Sequence, residues 1–308
     1  MEEKKCPVCD SENTSFFSEK NGYIFLRCDV CNLVLMDSLP DAKKLIDEFY
    51  SEKSGYHFKL VGNLAKIKKY KKKFTKVINK LTDLGITGNL LDVGCSNGEF
   101  LLLAKEKGFN AFGVEANKYT ADIALSNGLN VFNGILKEAN FKEGYFSAIY
   151  LGDIIEHVIN PIDLLNECKR ILKKDGIIAV STPNTNCFWV KITQFICLGL
   201  GLPWSVLVPP YHVFLFSESN IKKLMDRLDF KILKIDYLRC SLRHELGTTG
   251  LLTDFKRSKS VKALCYLVFV FSMYVVIYFL SLMARVFSKK DFEMIVFAKN
   301  ISAIYNNG

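Results

Sequence analysis

Two groupings of residues in this chain have types and spacings that can do chemistry. The first is Cys6-Pro7-Val8-Cys9 followed by Cys28-Asp29-Val30-Cys31, two Cys-x-x-Cys pairs with 18 residues between them. Two thiolates one tight turn apart can hold one face of a tetrahedral ion, and a second such turn closes the other face. The spacing reads as a zinc ribbon with Cys6, Cys9, Cys28 and Cys31 around a structural Zn2+. With all four positions filled by protein, the ion has no place for a substrate. A pair of redox-active dithiols is the weaker alternative, because no thioredoxin-like strand and helix surround either pair.

The second grouping is Asn89-Leu-Leu-Asp92-Val-Gly94-Cys95-Ser96-Asn97-Gly98, a short apolar strand that runs into a glycine turn and then an apolar-periodic helix. Gly94 and Gly98 let the backbone approach a ligand, and the helix N-terminus favours a negative group. A second strand, Asn110 to Val114, ends in Glu115, where a carboxylate can accept hydrogen bonds from ribose hydroxyls. Together they point to a nucleoside cofactor at the carboxyl edge of a parallel sheet. The dinucleotide pattern Gly-x-Gly-x-x-Gly fails at Ser96 and Glu99.

Asp92-x-Gly94-x-Ser96-x-Gly98 instead resembles motif I of the class I S-adenosylmethionine-dependent methyltransferases, with serine in place of the frequent middle glycine. The resemblance runs over roughly residues 85 to 300. Asp153-Ile-Ile-Glu-His157-Val-Ile-Asn-Pro161 resembles the Glu-His-Val-x-x-Pro signature of the ubiquinone-biosynthesis-like subgroup. Lys173-Lys-Asp-Gly176, Ser181-Thr-Pro-Asn184, Tyr211-His212 and Phe216-Ser217 fit its following segments. It implies a Rossmann-like α/β sheet of seven strands, parallel with an antiparallel last strand, with Phe230 to Tyr237 and Phe292 to Lys299 as the last two strands.

The resemblance also implies roles. Asp92, Gly94, Cys95, Ser96, Asn97 and Gly98 would hold the methionine moiety of S-adenosyl-L-methionine, Glu115 the ribose, and Asn117 and Asn133 the adenine. A plain turn residue is as good a reading of Asn133. Asp153 would stand beside the methyl group. Methyl transfer needs in-line approach more than covalent help, and an oxygen nucleophile gains from a general base, for which His157 and His212 are the candidates. His157 could instead hydrogen-bond within its helix. Asp153, Glu156 and His157 also match an acid-x-x-Glu-His spacing with which some relatives bind a divalent ion, so Mg2+ is a further expectation. An ordinary acidic helix start is the stronger alternative.

The elements that must position these groups are legible in part. Asn21-Gly22 is a hairpin turn between Thr14 to Phe17 and Tyr23 to Arg27. Asp10 and Asn32, after the two cysteine pairs, tolerate left-handed backbone. Residues 64 to 81 are expected as a helix, with Leu64, Ile67, Tyr70, Phe74, Ile78 and Leu81 on one face and lysines 66, 68, 69, 71, 72, 73, 76 and 80 on the others. That basic back is read as solvated, or as facing anionic lipid or a diphosphate-bearing substrate. The domain expectation is a ribbon over 1–36, a connector and basic helix over 37–84, a methyltransferase domain over 85–300 and a tail over 301–308. Apolar inserts fall at 188–212 and 261–287.

Those inserts carry the partner expectation. Residues 192 to 210 read as a greasy lid or membrane-dipping loop around Trp204, and 263 to 284 carry no charge. Basic residues flank the second run at both ends, and pairing of the last two strands would put both its ends on one side of a membrane. Association with a cytoplasmic membrane face through both runs is the expectation, with burial in a lid or a homodimer as the alternative. The charged start, Met1-Glu-Glu-Lys-Lys, is not followed by an apolar run, so a cytoplasmic catalytic domain is expected.

Composition bounds the rest. The 308 residues are 49% hydrophobic and 24% charged, which excludes wholesale disorder and fibrous repeats. The net charge of +9 suits an anionic partner. Nucleic acid is disfavoured, because aromatics are not interleaved with the basic run. The functional expectation is a methyltransferase acting on a lipid-linked or nucleotide-linked sugar or another small molecule. A quinone-like lipid is the alternative acceptor, and a non-catalytic membrane adaptor that only binds the nucleoside is the alternative of another class.

Overall fold

The computed structural model describes residues 5–39, 64–199, 204, 206–239, 261–284 and 288–301. Within the connector, the spacing of Leu45, Ile46, Phe49 and Tyr50 suggests a short amphipathic helix, which lies outside these residues, as do Lys256, Arg257, Lys259 and Arg285 of the basic flanks of the second apolar run.

The N-terminal unit is built on its turns. Asn21 (φ 53°) and Gly22 (φ 78°) are both left-handed, the geometry that joins two twisted strands in two residues. They connect β1 (Thr14–Lys20) to β2 (Tyr23–Cys28). Each Cys-x-x-Cys pair closes in the same way. Asp10 N donates to Cys6 O and Asn32 N to Cys28 O, both at 2.9 Å, with Asp10 and Asn32 left-handed as the sequence suggested. Within the span expected as the ribbon a third strand, β3 (Val34–Met36), pairs with β2.

The main sheet comprises β4 (Asn89–Val93), β5 (Asn110–Glu115), β6 (Asn130–Asn133), β7 (Phe146–Gly152), β8 (Leu172–Pro183), β10 (Phe230–Leu238) and β11 (Glu293–Asn300). The seven strands lie in the order β10-β11-β8-β7-β4-β5-β6. Strands β4 to β8 pair in parallel, and β11 runs antiparallel to both β8 and β10. This is the fold class the sequence implied. The chain leaves β4 toward β6 and then crosses back to β7, so a crevice opens at the carboxyl ends of β4 and β7.

The central strands are apolar on both faces because helices cover both. Helix α1 (Leu64–Asp83) lays Phe74, Val77, Ile78 and Leu81 against Phe100, Leu101 and Tyr150. The expectation that Lys73 belongs to a solvated face is overturned: its side chain is 2% exposed. Helices α2 (Glu99–Glu106) and α3 (Lys118–Ser126) follow β4 and β5. Helix α4 (Pro161–Ile171) starts at Pro161, with Asn160 accepting from the amides of Ile162 and Asp163. Asp153, Glu156 and His157 therefore lie in the turns that precede it, and not on a helix.

The apolar inserts overturn the membrane expectation. Among the described residues no helix is long and apolar enough to cross a membrane. Partnership through 263–284 and 192–210, and a membrane-associated location, are accordingly withdrawn. The two runs instead touch each other, with Phe269, Val276, Phe279 and Met283 of the second left exposed. Helix α5 (Phe188–Gly199) packs against α7 (Val261–Ala284), where Ile277 is buried and Tyr278 meets Trp189 edge to face at 6.2 Å. Trp204 is 2% exposed and donates Nε1 to Thr193 Oγ1. Past it the chain forms β9 (Phe214–Leu215), which pairs with β3 of the N-terminal sheet and so completes the order β1-β2-β3-β9. Helix α6 (Glu218–Arg227) then returns the chain to β10.

Candidate active site

The glycine turn after β4 is held by backbone and by one carboxylate. Gly94 N donates to Val114 O at 2.7 Å, and Gly98 N to Cys95 O. Gly94 has φ 74°, and a Cβ there would stand 2.2 Å from Ile154; at Gly98 (φ 84°) it would stand as close to Leu129. Both positions demand glycine on two counts. Ser96 takes the same left-handed conformation at φ 50°. Half-buried Ser96 and Asn97 form the crest of the turn, while the Cys95 side chain points inward, 4% exposed, under Gly113. Only the backbone of Cys95 is on offer to a ligand.

Glu115, at the end of β5, accepts from Ser96 N and from Asn117 N, both at 2.8 Å. It thus ties the glycine turn to the second strand and keeps lone pairs for a further donor. Burial pushes its carboxyl upward, against the pull of those two amides. Asp92 is 4% exposed, and burial together with Glu115 pushes it well above the carboxylate range. Two buried acids side by side favour a cationic ligand between them. The Asn117 side chain caps α3 by accepting from Thr120 N, and Asn133 Nδ2 donates to Glu115 O at 2.9 Å. Both side chains are thus engaged with backbone beside Glu115.

Asp153 follows β7 with φ 56°, anchored through its amide to Ser181 O. Lys73 Nζ donates to both of its oxygens, at 2.8 and 2.7 Å, and Ser181 Oγ to one of them at 3.0 Å. Lys73 also meets Glu293 at the start of β11. Among the described residues Lys73 is the one lysine or arginine in the buried core. Burial opposes its charge, but Asp153 and Glu293 prevail and hold the ammonium protonated. The sequence carried a signal for it: residue 73 lies three after Tyr70 and four before Val77, on the apolar stripe.

Beyond Asp153 the structure gathers Glu156, His157 and His212, with ligand atoms all within 4.8 Å of one another. His157 donates Nδ1–H to Tyr211 O at 2.7 Å, which excludes the expected bond within its own helix. Burial pushes both imidazoles down, His212 to about 3, so both are neutral near pH 7. The Mg2+ trio Asp153, Glu156 and His157 is not what assembles, because Lys73 and Ser181 hold Asp153.

At the N-terminus the four cysteines converge. Cys6 and Cys31 Sγ lie 3.5 Å apart, as do Cys9 and Cys28. Zinc–sulfur bonds of about 2.3 Å imply a tetrahedral edge of about 3.8 Å, so the cluster fits such an ion. The hydrogen bond from Cys31 holds the Cys6 thiol down at about 5. The cluster can coordinate a metal.

The sequence model of the methyltransferase domain matches residues 65–235. The chain belongs to that family. This methyltransferase is 29% identical over 160 residues to the ubiquinone biosynthesis O-methyltransferase of Pelagibacter ubique (strain HTCC1062), covering 47% of this chain and 66% of that protein. It is 29% identical over 108 residues to an uncharacterized protein of Methanocaldococcus jannaschii, covering 35% of this chain and 50% of that one. The methyltransferase thus spans about half to two thirds of the length of these curated relatives. The phosphoethanolamine N-methyltransferase 2 of Haemonchus contortus, solved with S-adenosyl-L-methionine, superposes over 94% of this chain and 71% of its own, with TM-score 0.53 and 13% identity. That likeness shows the shared fold. Family and fold together give the chain the class I S-adenosylmethionine-dependent methyltransferase fold.

Proposed function

We propose that S-adenosylmethionine lies across the glycine turn, its methionine end at Asp92 and Gly94 to Gly98 and its ribose on Glu115. The adenine lies near Asn117 and Asn133. The observation that carries this reading is the pair of buried acids, Asp92 and Glu115, beside a turn that presents backbone at close range. The cofactor brings an ammonium and a sulfonium, which relieve the burial of negative charge. Its methyl group then points toward Asp153, and the acceptor enters from the side of β7 and β8. Asp153, His157 and His212 orient the acceptor and handle its proton. The methyl carbon leaves sulfur as it bonds to oxygen, and the cofactor becomes neutral S-adenosylhomocysteine.

The acceptor is read as a small hydroxylated molecule that carries phosphate, such as a nucleotide-linked sugar. The outward lysines of α1, Lys71 and Lys72 among them, favour such an anion, as does the net charge of +9. A quinone-like phenol is the second reading, favoured by the O-methyltransferase relatives. The cysteine cluster is read as a structural zinc ribbon. Incubation with methyl-labelled cofactor and a panel of nucleotide sugars and catechol-type phenols, followed by product mass spectrometry, tests the acceptor. Label on a sugar oxygen supports the first reading, and label only on phenols replaces it with the second.

A further inference from the structure

Helix α7 carries no charge over residues 263–284, yet it turns only one side to its own protein. Ile277, with Met273 and Tyr278 beside it, packs on the core. The side turned away carries Cys265, Phe269, Ser272, Val276, Phe279 and Met283, all of them exposed. The steps between these residues are four, three, four, three and four. That is a repeat of 3.5, the spacing that keeps one stripe of a helix facing a partner helix with the same stripe. A helix that merely rests on a folded core turns its apolar residues inward.

The stripe is also large. Phe269, Val276, Phe279 and Met283 are between 56% and 67% exposed, with Val268, Phe271 and Leu280 exposed at its margins. A buried phenylalanine accounts for roughly 150–250 Å2, and on that scale the exposed part of these side chains comes to about 700 Å2. Soluble monomers rarely show a contiguous apolar patch of that size. A stable interface buries about 800 Å2 on each partner, so the stripe is close to what one half of a dimer needs.

We propose that the chain forms a homodimer in which α7 meets α7 of a second copy along this stripe. The spacing selects the occupant: a seam of period 3.5 asks for another helix of the same repeat, which a second copy supplies at matching length. A lipid surface imposes no such repeat. The seam holds no lysine, arginine, aspartate or glutamate, so two copies approach without like-charge repulsion, and a strongly charged partner would find nothing to pair with. Joined by a twofold axis, the same patch on each copy covers the other and the assembly closes at two. Ser272 is the polar position of the seam and weakens it. This inference does not rest on the proposed cofactor or acceptor.

Sedimentation velocity of the full chain in detergent-free buffer, at micromolar concentration, tests it. A species of twice 35.0 kDa is expected. Phe269→Glu with Phe279→Glu puts carboxylates into the seam and should raise the dissociation constant by about 100-fold or more, with the circular dichroism spectrum retained. Ser272→Leu should tighten the dimer by about tenfold, a gain of discrete dimer that misfolding does not produce. The proposal is overturned if wild-type protein is a monomer, if it stays in solution only with detergent or sediments with phospholipid vesicles, if the dimer of the double variant is as tight as that of wild type, or if Ser272→Leu leaves the dimer unchanged.

Discussion

The half of this molecule proposed to hold the cofactor and the half proposed to receive the acceptor are built by different rules. The cofactor half, β4 to β6 with α2 and α3, is local: a strand, a glycine turn and a helix follow one another, and Glu115 closes the site from the next strand. The acceptor half is assembled from distant pieces. β3 pairs with β9, Met36 N donates to Val213 O, and Asn220 Nδ2 donates to Cys31 O at 2.8 Å. Lys20 donates to the carbonyls of Trp204 and Leu207, and Arg227 bridges to Asp10. The segment that carries His212 thus hangs from the cysteine unit, while the glycine turn does not touch it. A local site tolerates damage elsewhere, and a composite one inherits the stability of every part it borrows.

The largest break should come from the cysteines. Cys6→Ser with Cys28→Ser is expected to abolish metal binding at the cluster, because structural zinc contributes on the order of 10 kcal/mol to folding of such units. Hydrogen exchange at Val213 to Leu215 should then rise sharply, while affinity for S-adenosylhomocysteine stays within about twofold. Unchanged metal content would refute the ribbon, and equal loss of cofactor binding would refute the division into halves.

Lys73 sits where the halves meet, on α1 between Asp153 and Glu293. Lys73→Met leaves two buried carboxylates without their cation and should cost about 3–5 kcal/mol in urea unfolding. A loss below about 1 kcal/mol would show that the pair is solvated and worth no more than a surface bridge.

What could be read from the sequence follows the same division. The Asp92 to Gly98 turn was legible because strand, turn and helix follow one another, and the place of Glu115 because it ends the next strand. The cysteine knuckles were legible from their spacing, down to left-handed Asp10 and Asn32. Lys73 was missed because a lysine among lysines looks solvated, although its place on the apolar stripe spoke otherwise. Strand β9 is two residues long and pairs with a strand far back in the chain, so no periodicity announces it. The inserts read as membrane segments because hydropathy cannot distinguish a helix that packs on its own protein, as Tyr278 does on Trp189, from one that seeks lipid.

The smallest expected effect sharpens the acceptor side. Burial alone would raise the Glu218 carboxyl, but hydrogen bonds from Lys222, Lys290 and Tyr237 outweigh it and hold it at about 2. A depressed acid contributes stability that is full above its unfolded value near 4.5 and is lost as pH falls toward about 2. Glu218→Gln should therefore flatten that part of the stability profile by about 1 kcal/mol, after allowance for the partly exposed lysines. An unchanged acid limb would show that the three donors do not hold the carboxylate.

The central claim is that Asp92, Glu115 and the glycine turn receive S-adenosylmethionine, and isothermal calorimetry with S-adenosylhomocysteine tests it most directly. Wild-type protein should bind one equivalent. Asp92→Ala combined with Glu115→Ala should weaken binding by about 100-fold or more, since hydrogen bonds to charged groups are worth about 1.5–3 kcal/mol each. Circular dichroism would confirm that the variant remains folded. No binding to folded wild-type protein, or undiminished binding to the double variant, would contradict the account.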